Sequence, residues 1–236
     1  MRKHAVAVKY CGAYHRRLKF DHVAKHTTEK YFGIPYKENR NGCPTLARRG
    51  PTPVAAYRGS DGVTALEDYL FHYCLRKAQD YGLPVKVHTG YFATRDCMPL
   101  SRVRDNATDV CRLLQDYPNI RFVLMHIGYP YQNEYIALCK QYRNAYADLC
   151  WTWIINPVAC VRFLIEFLVT GPANKILTFG GDFSIAENIV GHSVMARKGI
   201  AEAISALVDR NWIDGGAVPE LAASLMTLNA RELFGK

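Results

Sequence analysis

Hydrophobic positions along the chain switch between two periods in a regular order. Short apolar runs of the strand type occupy residues 5–9, 85–88, 122–126, 145–149 and 176–179. Between them, apolar side chains recur at i, i+3, i+4 and i+7: Leu66, Tyr69, Leu70 and Tyr73; Val110, Leu113, Leu114 and Tyr117; Tyr135, Leu138, Cys139 and Tyr142. Helical spacing returns at Val158, Val161, Ile165 and Leu168, and at Ile200, Ile204, Leu207 and Val208. Strand and helix alternating in this way, with the strands apolar on both faces, predict an α/β domain with a parallel sheet and crossover helices.

One stretch breaks the alternation. Residues 33–62 hold Pro35, Gly42, Pro44, Gly50, Pro51, Pro53 and Gly59 among Arg40, Arg48, Arg49 and Arg58, which reads as an irregular insertion after the first strand and helix. A long loop following a strand belongs on the functional face. The whole chain, 1–236, reads as one domain carrying that insertion.

Composition narrows the class. At 236 residues, 49% hydrophobic and 22% charged, the chain can bury a full core, so a disordered tail is excluded. Its greasiest stretch, residues 151–169, is interrupted by Asn156, Pro157, Arg162 and Glu166, which argues against a membrane span. The opening Met1-Arg2-Lys3-His4-Ala-Val-Ala-Val is too short for a secretory core segment. Eight scattered cysteines without a CxxC pair rule out a zinc ribbon or a redox motif and point to buried thiols in a reducing, cytoplasmic compartment.

The net charge of +9 is uneven: residues 1–60 carry 13 Lys and Arg against 3 Asp and Glu, and the rest carries 17 against 18. That pattern fits a basic binding arm or a balancing acidic segment elsewhere. No nucleic-acid motif accompanies it, so neither nucleic acid nor membrane is an expected partner.

Chemistry concentrates where strands end. Four of the five runs finish on, or lead within a few residues into, Lys9, His88, His126 or Asp182. In a parallel barrel the carboxyl ends of the strands gather at one mouth, so these four are expected to converge. Each has a plain alternative taken singly. The histidines could be satisfied strand-end residues, Asp182 could cap a helix starting near Ser184, and Lys9 could be a solvated charge. His22 and His26, spaced i, i+4 among lysines, read as a solvated helix face.

The linear order of motifs carries a resemblance. His-Thr-Gly at 88–90, Phe-x-Leu-x-His-x-Gly-Tyr-Pro-Tyr around His126, Asn-x-Tyr-x-Asp-Leu-Cys-Trp at 144–151, Phe-Gly-Gly-Asp at 179–182 and Asn-Ala-Arg-Glu-Leu-Phe-Gly at 229–235 resemble the amidohydrolase-related (amidohydrolase 2) family. The resemblance implies a (β/α)8 TIM-barrel type fold of which this chain holds about five βα units, the fourth to eighth. It also implies metal ligands at His88, His126 and Asp182, with Lys9 where binuclear relatives carry a carboxylated lysine. The His-x-His pair of the family's first strand is absent from these residues.

By the same resemblance the cofactor is a divalent ion, Zn2+ or alternatively Mn2+, and the reaction is hydrolysis of a small molecule by metal-activated water. Asp182 and His126 are then the catalytic pair. Tyr91, Tyr129, Tyr131 and Trp151, with Trp153 and Phe183, follow the strand ends and would line the pocket, and Arg95 and Arg197 are candidates for an acidic substrate group. Decarboxylase and uronate-isomerase chemistry use the same ligands, and a catalytically inactive or truncated remnant is the alternative from another class. With its first strands missing, the chain is expected to self-associate or to need a chain that completes the barrel.

Overall fold

The computed structural model describes residues 5–29, 61–93 and 98–235. Most of the insertion read from the sequence, and Arg95, lie outside them, while residues 61 and 62 already belong to a helix. Five strands, β1 (Val8–Tyr10), β2 (Val85–His88), β3 (Phe122–Met125), β4 (Ala145–Asp148) and β5 (Ile176–Leu177), form one sheet in sequential order. Every neighbouring pair is parallel. A sheet wound in one direction, each strand beside its predecessor, is the arc of a (β/α)8-type barrel rather than a doubly wound sheet.

The major crossover helices are α2 (Asp61–Asp80), preceded by the short α1 (Lys25–Thr28), then α3 (Leu100–Asp116), α4 (Gln132–Gln141), and α5 (Thr152–Ile155) with α6 (Pro157–Thr170). After β5 come α7 (Ala186–Asp209), α8 (Val218–Ala223) and α9 (Asn229–Phe234). Local chemistry sets the ends. Asn156 accepts the Ala159 N–H at 3.0 Å and Pro157 opens α6, a favourable cap and first position. None of the described helices is long and apolar enough to cross a membrane.

The two outer strands fall short of their apolar runs by more than a residue. Residues 5–7 stay outside β1 because the pairing partner begins at Val85, directly after Pro84, and Val8 donates to the Pro84 carbonyl at 3.0 Å. Beyond Leu177, Thr178 turns its hydroxyl to the Leu225 carbonyl, 2.6 Å away, and leaves the ladder.

Alternation along the strands sorts side chains onto two faces. Val85, Val87, Phe122, Leu124, Ala145, Ala147 and Ile176 join the main core beneath the helices. The opposite, inner face carries Lys9, Lys86, His88 and Asp148 above a small apolar cluster of Val123 and Leu177, sealed by Leu233 and Phe234 of α9. Asn229 anchors that helix by donating to the Ala173 and Ile176 carbonyls at 2.7 and 2.9 Å.

The uneven charge is partly balanced within the chain. Arg16 pairs with Glu67 and Asp68, Arg17 with Asp109, Lys9 with Asp182 and His22 with Asp116. These pairs fasten the basic N-terminal region to α2, α3 and the segment after β5, so the basic-arm expectation does not hold for those residues. His22 and His26 are both exposed, as a solvated face requires, but only His26 is helical: His22 precedes α1, its ring stacked at 4.1 Å on His72 of α2.

Candidate metal centre

Lys9, His88, His126 and Asp182 meet at the C-terminal ends of the strands. His88 closes β2 and His126 follows β3, their Nδ1 and Nε2 atoms 3.1 Å apart. His126 Nε2 stands 3.6 Å from Asp182 Oδ2, and Lys9 Nζ donates to Asp182 Oδ1 at 2.6 Å. Asp182 therefore leaves its helix-cap alternative unused: α7 starts at Ala186 behind Ile185, without a side-chain cap.

Close approach at the histidines depends on a glycine. A Cβ at Gly90 would lie 2.9 Å from both Cβ and O of His126 and 3.0 Å from the Tyr129 nitrogen, contacts tight enough to push β3's end away. His126, Ile127, Trp151 and Asp182 adopt left-handed backbone at φ of 64°, 46°, 62° and 44°. Such conformations cost about 1–3 kcal/mol each for ordinary residues and cluster at sites where neighbours over-determine them. Here all four follow β3, β4 or β5 at the same mouth.

Burial keeps both imidazoles neutral. Desolvation, then the neighbouring His126 and the Lys9 ammonium, drive His88 down to about 3, and desolvation also lowers His126. Each neutral ring has one N–H, and a carbonyl claims it: Cys150 O lies 2.6 Å from His126 Nδ1, and Tyr91 O lies 3.1 Å from His88 Nε2. The tautomers so assigned leave lone pairs on the two nitrogens that face each other. Two donors 3.1 Å apart suit a cation: nitrogens at 2.0–2.1 Å from a tetrahedral zinc stand about 3.3 Å apart. Backbone carbonyls that fix the ring tautomer are the usual outer support of such ligands.

Lys9 is held by Asp182: burial lowers its pKa, but the bond and attraction to Asp182 more than offset this and raise it, which favours the ammonium form of the unmodified side chain. Burial likewise pushes the Asp182 carboxyl up, while Lys9 and the two histidines bring it net below the usual range. Asp182 is thus held ionised, with Oδ2 turned from Lys9 toward His126.

Aromatic rings rim the mouth. Trp151 meets His126 edge-on at 6.2 Å between centroids, and Tyr91 and Tyr129 stand 6.3 Å apart. Tyr129 accepts a hydrogen bond from Asn156, Tyr131 packs on the core, and Phe183 is exposed beside Asp182. Two expected residues go elsewhere. Trp153 is fully buried, its indole N–H donating to the Thr178 carbonyl at 2.8 Å. Arg197 is exposed eleven residues into α7, about 16 Å along the axis from the helix's mouth end.

Three residues escaped sequence reasoning. Tyr14 sets its ring 4.5 Å from His88, tilted by 48°, and Lys86 Nζ donates to Asp148 Oδ2 at 2.8 Å. Cys150 joins His126 and Asp182 in a group whose potential ligand atoms all lie within 4.8 Å of one another. The signal for Cys150 was present: the run at 145–149 was the one strand whose end had been given no chemical residue.

Comparison with known proteins fits this geometry. A sequence profile described as amidohydrolase matches residues 47–236. Among solved structures, a Lactobacillus casei protein assigned as a metal-dependent hydrolase superposes with a TM-score of 0.71 at 18% identity, covering 98% of this chain and 55% of that one. A Thermotoga maritima uronate isomerase gives 0.62 at 12% identity, covering 92% and 48%, and a Bacillus halodurans uronate isomerase 0.57 at 18%, covering 76% and 43%. Protein fluG of Emericella nidulans is 30% identical over 95 residues, 40% of this chain and 10% of that protein. The chain thus spans about half the length of these solved structures and a tenth of the fungal protein.

Proposed function

Since the chain belongs to the amidohydrolase family, we propose that it supplies the metal-binding mouth of a hydrolase that cleaves a small molecule with metal-activated water. One observation carries the reading: two buried imidazole lone pairs face each other at 3.1 Å with an ionised carboxylate 3.6 Å from one of them. His88, His126 and Asp182 would hold the ion. When bound, a divalent cation acidifies water to near pH 7 and polarises a carbonyl.

The remaining work belongs to the chain. Asp182 takes the proton of the attacking water and returns it to the leaving group, and the Lys9 ammonium keeps that carboxylate charged and oriented between transfers. His126, its Nδ1–H fixed on the Cys150 carbonyl, keeps Nε2 toward the reacting centre. Trp151, Tyr91 and Tyr129 form an aromatic rim that favours a flat or apolar portion of the substrate.

The test compares protein dialysed against a chelator with the same protein reloaded with Zn2+ or Mn2+, on a panel of small amides, esters and lactones. Turnover is expected only after reloading. Equal turnover in the stripped protein, or none in either form across the panel, would refute a metal-dependent hydrolase.

The reading extends to assembly. β1 and β5 are the outer strands of the arc, and the helices beside them expose Leu70 and Tyr73 on one side and Ile185, Val190 and Val194 on the other. Unpaired strand edges flanked by apolar helix faces favour association with a second copy or with a chain that completes the barrel. Sedimentation of the chain alone is expected to show self-association rising with concentration; a cooperatively melting monomer across the range speaks against it.

A further inference from the structure

Cys150 sits where a ligand, not merely a core thiol, would sit. Its backbone is pinned on both sides: the N–H donates to Asp148 Oδ1 at 2.9 Å, and the carbonyl accepts from His126 Nδ1 at 2.6 Å and from the Thr152 hydroxyl at 3.3 Å. This fixes where the side chain can go. Its Sγ falls within 4.8 Å of a His126 ring nitrogen and an Asp182 oxygen, a group that His88 does not join. Gly180 supplies the room, since a Cβ there would lie 2.8 Å from the sulfur. The second observation is independent of the thiol: His126 is 1% exposed, and its Nε2 stands 3.1 Å from His88 Nδ1 and 3.6 Å from Asp182 Oδ2, the carboxylate of the same group.

The geometry points to Cys150 as a thiolate ligand of the ion at this mouth, completing a mixed nitrogen, sulfur and oxygen set with His126 and Asp182. The inference rests on the metal-dependent reading and deepens it by specifying the kind of metal. On binding, the S–H bond gives way to a sulfur–metal bond and its proton leaves to solvent, with no change of oxidation state. Thiolate and carboxylate together offset the two charges of the ion.

A thiolate changes the choice of ion. Sulfur favours Zn2+, Co2+ and Cd2+, whereas carboxylate-rich sites suit Mn2+ and Mg2+. The site is therefore thiophilic, and Zn2+ rather than Mn2+ is its occupant. Cys160, fully buried under the helices and away from the mouth, serves as the control thiol.

Cobalt distinguishes the possibilities because thiolate ligation gives an intense charge-transfer absorption in the near ultraviolet that nitrogen and oxygen ligands lack. Co2+ is titrated into the metal-free full chain, and bound metal is measured in parallel by equilibrium dialysis. The unmodified protein is expected to show the band saturating at one ion per chain, and Cys160→Ser to retain it. Cys150→Ser, checked for an unchanged far-ultraviolet spectrum, is expected to lose the band and weaken Co2+ binding by more than the ~10- to 100-fold that outer-shell losses cost. Co2+ bound without the band in the unmodified chain, or a band surviving in Cys150→Ser, overturns the role of Cys150 and leaves the metal-dependent reading standing. No Co2+ bound at all overturns both. Should Cys150→Ser fail to fold, the presence or absence of the band in the unmodified chain still decides.

Discussion

Asp182→Asn is expected to lower turnover by at least about 100-fold with the melting temperature almost unchanged. The two halves of this expectation have separate causes. Asparagine keeps the shape of the side chain but removes the charge and the base, so proton transfer at the metal mouth loses its carrier. Like aspartate, it is among the non-glycine residues that adopt left-handed backbone most readily, so the turn after β5 at φ 44° survives. The lost ion pair with Lys9 costs little, because both side chains are about a third exposed, 38% and 30%, and such pairs contribute at most about 1 kcal/mol. Kinetics and thermal melts on the zinc-loaded protein check both halves. Unchanged turnover would remove Asp182 from the chemistry, and a collapsed melt would assign it to structure instead.

The reading of the chain succeeded where one face of each element is uniform. Residues 85–88 and the heart of the runs at 122–126 and 145–149 became strands because their outward residues, Val85, Val87, Phe122, Leu124, Ala145 and Ala147, all enter one core. It faltered at the edges of the arc. There, Ala5 to Ala7 and Thr178 to Phe179 are as apolar as any strand residue but have no neighbour in register. Periodicity records what a residue prefers to bury, not whether a partner strand reaches it.

The site shows the same division. Strand-end positions of Lys9, His88, His126 and Asp182 were legible because barrel topology converts sequence order into proximity. What each group does was less so, since that depends on contacts across the mouth. Lys9 is spoken for by Asp182, and the tautomers of the two histidines are set by the Tyr91 and Cys150 carbonyls, which no motif encodes. Arg197 shows the reverse error: a charge placed by linear nearness to the site lies far along a helix.

Lys86 belongs to this hidden layer and carries the largest expected effect on stability. It alternates with Val85 and Val87, so it shares the inner face with His88, and its ammonium reaches two strands across to Asp148 at 2.8 Å. Asp148 is wholly buried, and its other oxygen holds the Cys150 N–H at 2.9 Å. Burial lowers the Lys86 pKa, but attraction to Asp148 outweighs it and the net shift is upward, so Lys86 stays an ammonium.

Lys86→Met keeps an unbranched stem but removes the charge that compensates Asp148, and with it the ammonium's contact 5.8 Å above the Phe234 ring. A buried charge left without its partner typically costs about 3–5 kcal/mol, whereas removing both charges is close to neutral. Lys86→Met is therefore expected to lose about that much unfolding free energy. The double variant Lys86→Met with Asp148→Asn should recover most of it, because asparagine can still accept the Cys150 N–H. Urea unfolding of the three proteins measures both steps. A single variant within about 1 kcal/mol of the parent, or a double variant no better than the single, would mean that water reaches Asp148 and that the inner face is not sealed by α9 as the structure shows. The candidate metal centre would feel that opening directly, since Asp148 positions Cys150 and Cys150 positions His126.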